Sequence, residues 1–153
     1  MEKNNDDVIA RKMTLDDLDE VMDIENKSFT TPWSRNAFIT EVGKNTLAYY
    51  VVAVKDKKVV AYGGLWFVVD EGHITNIAVH PDYRGLGIGN VIVEELIRVC
   101  EERKLSRMTL EVRKSNNIAQ SLYKKYGFES KGIRPGYYQD TKEDAIIMWK
   151  ELR

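Results

Sequence analysis

The spacing of apolar residues in the N-terminal part of the chain predicts a short strand followed by two helices. Residues 8–13 (VIARKM) fit the strand. A helix is then expected from a cap at Thr14 to about Ser28, because apolar residues recur there at helical spacing. The segment TTPWS breaks this helix, and Ser34 within it can cap a second helix that ends near Val42.

Three β-rich segments follow and predict an antiparallel meander. Residues 46–54, 59–69 and 73–79 are rich in β-branched and aromatic residues. The segments KDKK and DEG near the ends of these strands are typical of turns. Because such short turns join strands that run in opposite directions, the three strands should pair in sequence order.

The rest of the chain alternates helix and strand. The predicted elements are a helix, a strand and a helix over residues 90–103, 107–112 and 115–127. Residues 128–133 should pair with a last strand over residues 146–152, across a long loop from Arg134 to Asp144.

The order β-α-α-β-β-β-α-β-α-β-β predicts a single α/β (α+β) domain over residues 8–153. Its sheet should be mixed but mostly antiparallel, with about seven strands and about four helices. Residues 1–7 are expected to be disordered or weakly ordered, because they are polar and lack any apolar pattern.

Composition narrows the classes of function. The chain has 153 residues, the size of one domain, and its 23 Lys and Arg nearly balance 24 Asp and Glu. No overall field therefore attracts nucleic acid or an anionic membrane. The apolar run at residues 59–69 is shorter than the roughly 18 residues of a membrane span, and the N-terminus does not resemble a signal peptide. A cytoplasmic protein is expected.

Cysteine and histidine are too sparse for a disulfide framework or a metal site. Cys100 is the single cysteine and continues the apolar face of Val93 and Leu96, so we interpret it as a core residue and not as a nucleophile. The two histidines, His73 and His80, are not tied to it by any local pattern, and no metal is expected.

The segment DYRGLGIGN, residues 82–90, carries the clearest signal for a ligand. It places Gly85, Gly87 and Gly89 at alternate positions between a predicted strand and a predicted helix. Such a junction is a generic anion site, since backbone N–H groups and the helix N-terminus point at one place. The Gly-Lys-Ser/Thr of a P-loop is absent, and Asn90 stands where a dinucleotide-binding loop needs Gly or Ala. A plain structural turn is the alternative, although a turn requires fewer glycines.

The pattern Arg84-x-x-Gly87-x-Gly89 resembles the pyrophosphate loop of the GCN5-related N-acetyltransferase (GNAT) superfamily, which holds coenzyme A. Downstream, LEVRKSNNIAQSLYKKYGF is similar to a segment of the bacterial ribosomal-protein-alanine N-acetyltransferases, the RimI family. The segments PWS and YYQDTKEDAIIM also resemble that family, so the likeness runs from about Pro32 to Met148. The clearest departure is Asn90, where the family commonly has arginine or lysine.

The resemblance implies a GNAT-like fold that binds acetyl-CoA as co-substrate. The residues that it assigns to the cofactor are Ile77, Ala78, Val79, Arg84, Gly85, Leu86, Gly87, Ile88, Gly89, Asn90 and Asn116. A backbone N–H near Val79, where the strand splays from its neighbour in the family, would stabilise the oxyanion. Asn116 can also cap the helix that follows it.

Glu111 and Tyr123 are the candidate catalytic residues. The resemblance makes Glu111 the general base and Tyr123 the acid that protonates the thiolate of coenzyme A. Considered by residue pattern alone, Glu111 lies on a strand face that could be solvated, idle or paired with Arg113, and Tyr123 could be a core tyrosine. Attack is expected to be direct, in a ternary complex, without a covalent acyl-enzyme.

Four aromatic residues in segments that look like loops are expected to bind the acceptor: Phe29, Trp33, Tyr137 and Tyr138. Trp33 could equally be a buried anchor for the first two helices. Glu143 or Asp144 could lie near a peptide's ammonium group or simply end a loop.

The resemblance implies acetylation of the N-terminal alanine of a small-subunit ribosomal protein. The alternatives are another amine (a lysine, a polyamine or a small molecule) and a non-catalytic sensor of coenzyme A. No oligomeric state is predicted.

Overall fold

A single mixed sheet with helices on both faces organises the chain in the computed structural model, which describes residues 7–153. The predicted weakly ordered segment, residues 1–7, lies outside the described residues except for Asp7. The strands are β1 (Val8–Lys12), β2 (Ala48–Lys55), β3 (Lys58–Val68), β4 (Glu71–Val79), β5 (Arg107–Arg113), β6 (Glu129–Tyr138) and β7 (Glu143–Glu151). The helices are α1 (Leu18–Ser28), α2 (Arg35–Gly43), α3 (Ile88–Glu102) and α4 (Asn117–Lys125).

The seven strands lie in the order β1-β2-β3-β4-β5-β7-β6. All neighbouring pairs are antiparallel except β4 and β5, which are parallel and are joined through α3. The predicted fold class, element order and meander are therefore confirmed. The parallel pair brings the C-terminal ends of β4 and β5 to the same edge, which is where a crossover leaves room for a ligand.

The first predicted helix begins with a different geometry. A 3-10 turn spans Leu15–Asp17 before α1 begins at Leu18. The carboxylate of Asp17 accepts the backbone N–H of Thr14 at 2.8 Å. Thr14, predicted as the cap of the helix, therefore caps the 3-10 turn, and Asp17 stands at the cap position of α1. Ser34 caps α2, since its Oγ accepts the N–H of Ala37 at 3.1 Å.

The prediction of a long loop from Arg134 to Asp144 is wrong. β6 continues to Tyr138 and β7 begins at Glu143, so the connection is a short turn. The pairing of β6 with β7 is irregular between Arg134 and Tyr138, where Pro135 and Gly136 lie. These two residues favoured a loop in the sequence, but an edge strand accommodates them at a bulge because its outer backbone groups need no ladder partner.

Two apolar layers cover the sheet. The layer on one face contains α3 and residues of β5, among them Leu96, Leu110 and Val112. The layer on the other face contains α1 and α2, with Ile24 and Phe38. None of the helices within residues 7–153 is long and apolar enough to cross a membrane.

Cys100 lies in the α3 layer and is fully buried, which confirms the prediction of a core residue. Burial raises the pKa of its thiol to about 12. Because only the thiolate is a good nucleophile, almost none of Cys100 is in its nucleophilic form at neutral pH in the folded protein.

Candidate active site

The parallel strands β4 and β5 separate towards their C-terminal ends. Glu71–His73 of β4 pair with Arg107–Thr109 of β5, and within residues 7–153 no other residues of the two strands are paired. β4 nevertheless continues to Val79 and β5 to Arg113. The result is a wedge-shaped opening in the middle of the sheet, which we call the β4–β5 opening.

One wall of the β4–β5 opening is the backbone of β4. The N–H of His80 donates to Val60 O at 2.8 Å, so residue 80 is hydrogen-bonded to β3. Because antiparallel pairs alternate, Ala78 also faces β3, whereas the N–H and C=O groups of Ile77 and Val79 point towards the opening. The guanidinium of Arg84 confirms this direction, since its Nε donates to Val79 O at 3.1 Å.

The opposite wall is the backbone of β5. The N–H of Lys114 donates to Asp144 O at 3.1 Å, which fixes the alternation between β5 and β7. The backbone groups of Glu111 and Arg113 therefore also point into the opening. The side-chain amide of Gln120, on α4, donates to Arg113 O at 3.0 Å and ties this wall to the helix.

A cavity of about 620 Å³ lies beside the opening, between the end of β4 and the first turns of α3 and α4. Its lining includes most of the residues that the sequence assigned to a cofactor: Ile77, Ala78, Val79, Arg84, Gly85, Gly87, Ile88, Gly89, Asn90 and Asn116. Leu86 is the exception and packs against the apolar layer of α3. The structure thus gathers residues from three separate segments around one space.

The segment from Arg84 to Gly87, which we call the glycine loop, has a backbone geometry that suits binding of an anion. Gly85 and Gly87 have φ values of 79° and 81°, in the left-handed region where a side chain is strained. α3 begins at Ile88, directly after Gly87, so Gly89 and Asn90 belong to its first turn and not to the loop. A helix N-terminus that opens on a cavity favours a negatively charged ligand.

Asn90 and Asn116 both have hydrogen-bond partners within the protein. Asn116 caps α4 as predicted, since its Oδ1 accepts the N–H of Ala119 at 3.1 Å. The Oδ1 of Asn90 lies 2.9 Å from both Lys125 Nζ and the hydroxyl of Tyr126. Lys125 is a cation that the sequence analysis did not associate with the glycine loop.

Tyr123 lines the cavity from α4 and is only 8% exposed. Its ring packs against Phe128, with 5.9 Å between centroids. Burial raises the pKa of its hydroxyl above the ordinary value for tyrosine, so it stays protonated at neutral pH. The buried position fits the interpretation as a core tyrosine, and the role of proton donor stays a prediction.

Glu111 lies on the other side of the sheet. Its neighbours Leu110 and Val112 pack in the α3 layer, so the intervening side chain points to the face of α1 and α2. Its Oε2 accepts the Nε of Arg134 at 3.2 Å. The alternative that paired it with Arg113 is wrong, because Arg113 forms ion pairs with Asp140 and Glu143 instead. Glu111 and Tyr123 thus lie on opposite faces, with the β4–β5 opening between them.

The four aromatic residues predicted to bind the acceptor lie in three different places in the structure. Phe29 lies on the cavity wall. Trp33 lies outside the cavity lining and packs on Phe38 and Tyr50, at 5.2 and 6.4 Å between centroids, as the anchor interpretation expected. Tyr137 and Tyr138 belong to β6 and not to a loop, which corrects their predicted setting. Their ring centroids lie 5.0 Å apart, beside the irregular pairing between Arg134 and Tyr138.

Glu143 and Asp144 have structural partners at the start of β7. Glu143 Oε2 accepts the N–H of Ser115 at 2.6 Å, and Asp144 Oδ1 accepts the N–H of Gly136 at 2.9 Å. The first bond joins the hairpin of β6 and β7 to the loop before α4, and the second lies within the hairpin. Both acids belong to β7, so neither of them ends the long loop that the sequence predicted.

Comparison with known proteins decides the family. A model of the acetyltransferase (GNAT) family matches residues 18–128. The chain belongs to this family. It is an acetyl-CoA-dependent N-acetyltransferase, as the sequence predicted. A protein of Bacillus subtilis (strain 168), provisionally named a ribosomal protein bS18-alanine N-acetyltransferase, is 46% identical over 140 residues, covering 92% of this chain and 93% of its own length.

Two further comparisons agree with this GNAT assignment. The ribosomal protein bS18-alanine N-acetyltransferase of Escherichia coli (strain K12) is 38% identical over 134 residues, covering 86% of this chain and 89% of its own. The crystal structure of the ribosomal-protein-S18-alanine N-acetyltransferase from Escherichia coli superposes with a TM-score of 0.86 and 34% identity, covering 95% of this chain and 94% of that one.

The GNAT site fits its co-substrate. Coenzyme A carries phosphates at one end and an extended amide-containing arm at the other. The glycine loop, including Arg84, offers a cradle for phosphate, and the backbone groups of Ile77 and Val79 offer partners for the arm. Within residues 7–153 no group of His, Cys, Asp and Glu has a geometry that could hold a metal ion.

Five residues of the cavity wall were not among the predicted site residues: Ser28, Tyr83, Ile118, Ala119 and Leu122. Ile118 is 86% exposed at the rim, and Leu122 lies one turn further along α4. An apolar stripe on a helix has the same appearance in sequence whether it faces a core or a cavity for a ligand. No local signal could have separated the two.

Proposed function

We propose that this enzyme transfers acetyl from acetyl-CoA to the N-terminal α-amine of a protein, with the N-terminal alanine of a small-subunit ribosomal protein as the acceptor. The observation that carries the proposal is the placement of Glu111 and Tyr123 on opposite sides of the β4–β5 opening. Acetyl-CoA bound on the α3 side of the sheet and an amine that enters from the α1 side would meet between these two residues. The printed activities of the relatives from Bacillus subtilis and Escherichia coli support the choice of acceptor.

Cofactor binding is assigned to the glycine loop and to β4. The loop with Gly85 and Gly87 and the first turn of α3 with Gly89 receive the pyrophosphate, and Arg84 adds positive charge. The backbone of Ile77 and Val79 pairs with the pantetheine arm as an additional strand would. The N–H of Val79 is the donor that we assign to the negative charge that develops on the acetyl oxygen. Acetyl-CoA supplies the acetyl group as a thioester.

Glu111 is assigned as the base. An α-ammonium, with a pKa of about 7.7–8.0, costs only about 1 kcal/mol to deprotonate at pH 7, whereas a lysine with a pKa of about 10.4 costs about 4.6 kcal/mol. A carboxylate on the acceptor face can therefore remove the proton of an α-amine, directly or through one water. Arg134, which donates to Glu111, holds the carboxylate on this face.

Tyr123 is assigned as the acid, and the transfer as direct. Its raised pKa keeps the proton available for the departing thiolate of coenzyme A. Cys100 is buried in the α3 layer and lies outside the cavity lining, so no acyl-enzyme is proposed. We also place the reaction in the cytoplasm, which the single cysteine favours.

The test measures thiol release from acetyl-CoA with two matched peptides. One peptide has a free N-terminal alanine, and the other has that amine blocked but carries a lysine. We expect turnover of the first alone, and its loss in Glu111→Gln. Turnover of the lysine peptide alone would overturn the proposed acceptor. Binding of acetyl-CoA without turnover of either peptide would favour a small amine or a sensor of coenzyme A, and a panel of polyamines separates these two.

A further inference from the structure

The loop between α1 and α2 touches the tip of the hairpin formed by β6 and β7. The hydroxyl of Thr30 donates to Asp140 Oδ2 at 2.9 Å, across 110 residues of sequence. Thr30 lies directly after Phe29, which lines the cavity. Asp140 lies in the turn directly after Tyr138. We call this hydrogen bond the Thr30–Asp140 clasp.

Asp140 is held from the side of β5 as well. Arg113 Nη2 lies 2.9 Å from Asp140 Oδ2 and 3.2 Å from Oδ1. The same guanidinium stacks on Tyr138, with 4.1 Å between its carbon and the ring centroid. Arg113 is the last residue of β5, so the clasp is attached to one wall of the β4–β5 opening.

Two residues before Thr30, the end of α1 is attached to the cofactor side at Ser28. Arg84 Nη2 donates to Ser28 Oγ at 3.4 Å and, through Nε, to Val79 O. A short segment, residues 28–30, is therefore fixed at one end by Arg84 of the glycine loop and at the other by Asp140. The segment crosses from the cavity to the hairpin of β6 and β7.

We propose that the Thr30–Asp140 clasp positions the acceptor peptide. Asp140 links Thr30 to Arg113, which stacks on the ring of Tyr138, and Thr30 is adjacent to Phe29 on the cavity wall. The clasp thereby sets the spacing of these two aromatic side chains, which we assign to the acceptor entrance. Thr30, Asp140 and Arg113 are positioning residues in this account, because none of them has to touch the reacting atoms. The inference rests on the proposed function only for the identity of the acceptor.

The test compares Thr30→Val with Thr31→Val, a neighbouring substitution of the same type in the same exposed loop. Rates with acetyl-CoA and the peptide that has a free N-terminal alanine give kcat and the peptide KM, and calorimetry gives the Kd of coenzyme A. Loss of one partly exposed hydrogen bond should raise the peptide KM about fivefold in Thr30→Val, with kcat and the Kd of coenzyme A nearly unchanged. Thr31→Val should behave as the wild type.

Asp140→Ala and the double variant sharpen the result. Asp140→Ala removes the acceptor of Thr30 and the anion that faces Arg113, so it should raise the peptide KM at least as much as Thr30→Val. The double variant should add nothing to Asp140→Ala, because Thr30 has then already lost its acceptor. An unchanged KM in Thr30→Val, or a Kd of coenzyme A that rises in step with KM, would overturn the clasp.

Turnover of the two peptides by the wild-type enzyme identifies the acceptor before the variants are compared. If a lysine peptide or another amine proves to be the substrate, the same variants measured with it test the clasp separately.

Discussion

Lys125 Nζ lies 2.9 Å from Asn90 Oδ1, so the last turn of α4 places a positive charge beside the first turn of α3. Asn90 is the position at which the sequence departs most clearly from the family pattern, which commonly has arginine or lysine there. The structure supplies a cation to the same neighbourhood from a different element. Tyr126, whose hydroxyl is 2.9 Å from the same oxygen, holds Asn90 in place for this contact.

Removal of this charge should weaken binding of the cofactor. In Lys125→Gln, the Kd of coenzyme A should rise about threefold at low salt, since a partly screened surface charge near a phosphate contributes less than about 1 kcal/mol. The difference should shrink at high salt, because exposed charges are screened. Isothermal titration at two salt concentrations measures both effects.

Lys124→Gln is the matched control for this prediction, since it removes the same charge from the preceding residue of α4. It should change the Kd of coenzyme A less than Lys125→Gln does. Equal effects of the two variants would mean that net charge alone matters and that the contact with Asn90 has no role. Titration with dephospho-coenzyme A then shows whether the 3′-phosphate or the pyrophosphate is the group concerned.

Features set by local sequence could be predicted. The glycine loop, the cap at Asn116 and the alternation along β5 each depend on residues within one turn or one strand, where spacing fixes direction. The family resemblance then attached roles to positions that spacing alone had left open, such as Glu111 and Tyr123. The structure shows that these two side chains lie on either side of the β4–β5 opening, and their catalytic roles are proposals.

Features set by distant residues could not be predicted. Thr30 and Asp140 are joined by the closure of the whole sheet, and no pattern near either one indicates the other. The partner of Glu111 is Arg134 on β6, which the sequence had placed in a loop. Pro135 and Gly136 are strong local signals for a loop, and the edge position that tolerates them is a property of the strand order.

Gly63 on β3 allows α3 to pack closely on the sheet. A Cβ at this position would lie 2.5 Å from Ile92 Cγ2, well inside van der Waals contact. Gly63→Ala should therefore lower the free energy of unfolding by about 1–3 kcal/mol, as overpacked core substitutions do. Gly132→Ala is the control, because its Cβ would be 3.6 Å from Ile147 Cδ1. Urea denaturation of both variants measures the difference, and equal stabilities would show that α3 can shift without cost.

Cys100 should be chemically silent in the native enzyme. Its thiol is fully buried and its pKa is raised to about 12, so almost none of it is thiolate at pH 8. Treatment with iodoacetamide at pH 8 should leave both the mass of the protein and its turnover unchanged, and denaturant should expose one reactive thiol. Rapid loss of activity together with alkylation of the native enzyme would contradict both the buried position and the direct mechanism.

Tyr123→Phe should separate catalysis from binding. Without the hydroxyl, the leaving thiolate has no donor at this position, and kcat should fall by about 10²-fold or more. The Kd of coenzyme A should change little, because the ring remains against Phe128. Tyr49→Phe removes a hydroxyl from β2, outside the cavity lining, and should keep wild-type kcat.

The pH dependence of the wild type gives an independent check on Tyr123. Burial raises the pKa of its hydroxyl, so the protonated form persists to a higher pH than for a free tyrosine, whose pKa is about 10. A donor of this kind loses its proton only as pH rises through the raised value. Wild-type kcat should therefore show no alkaline loss due to Tyr123 below about pH 10. An alkaline limb near pH 8.5 that disappears in Tyr123→Phe would show that the tyrosine titrates there, and the assignment of a buried, permanently protonated acid would fail.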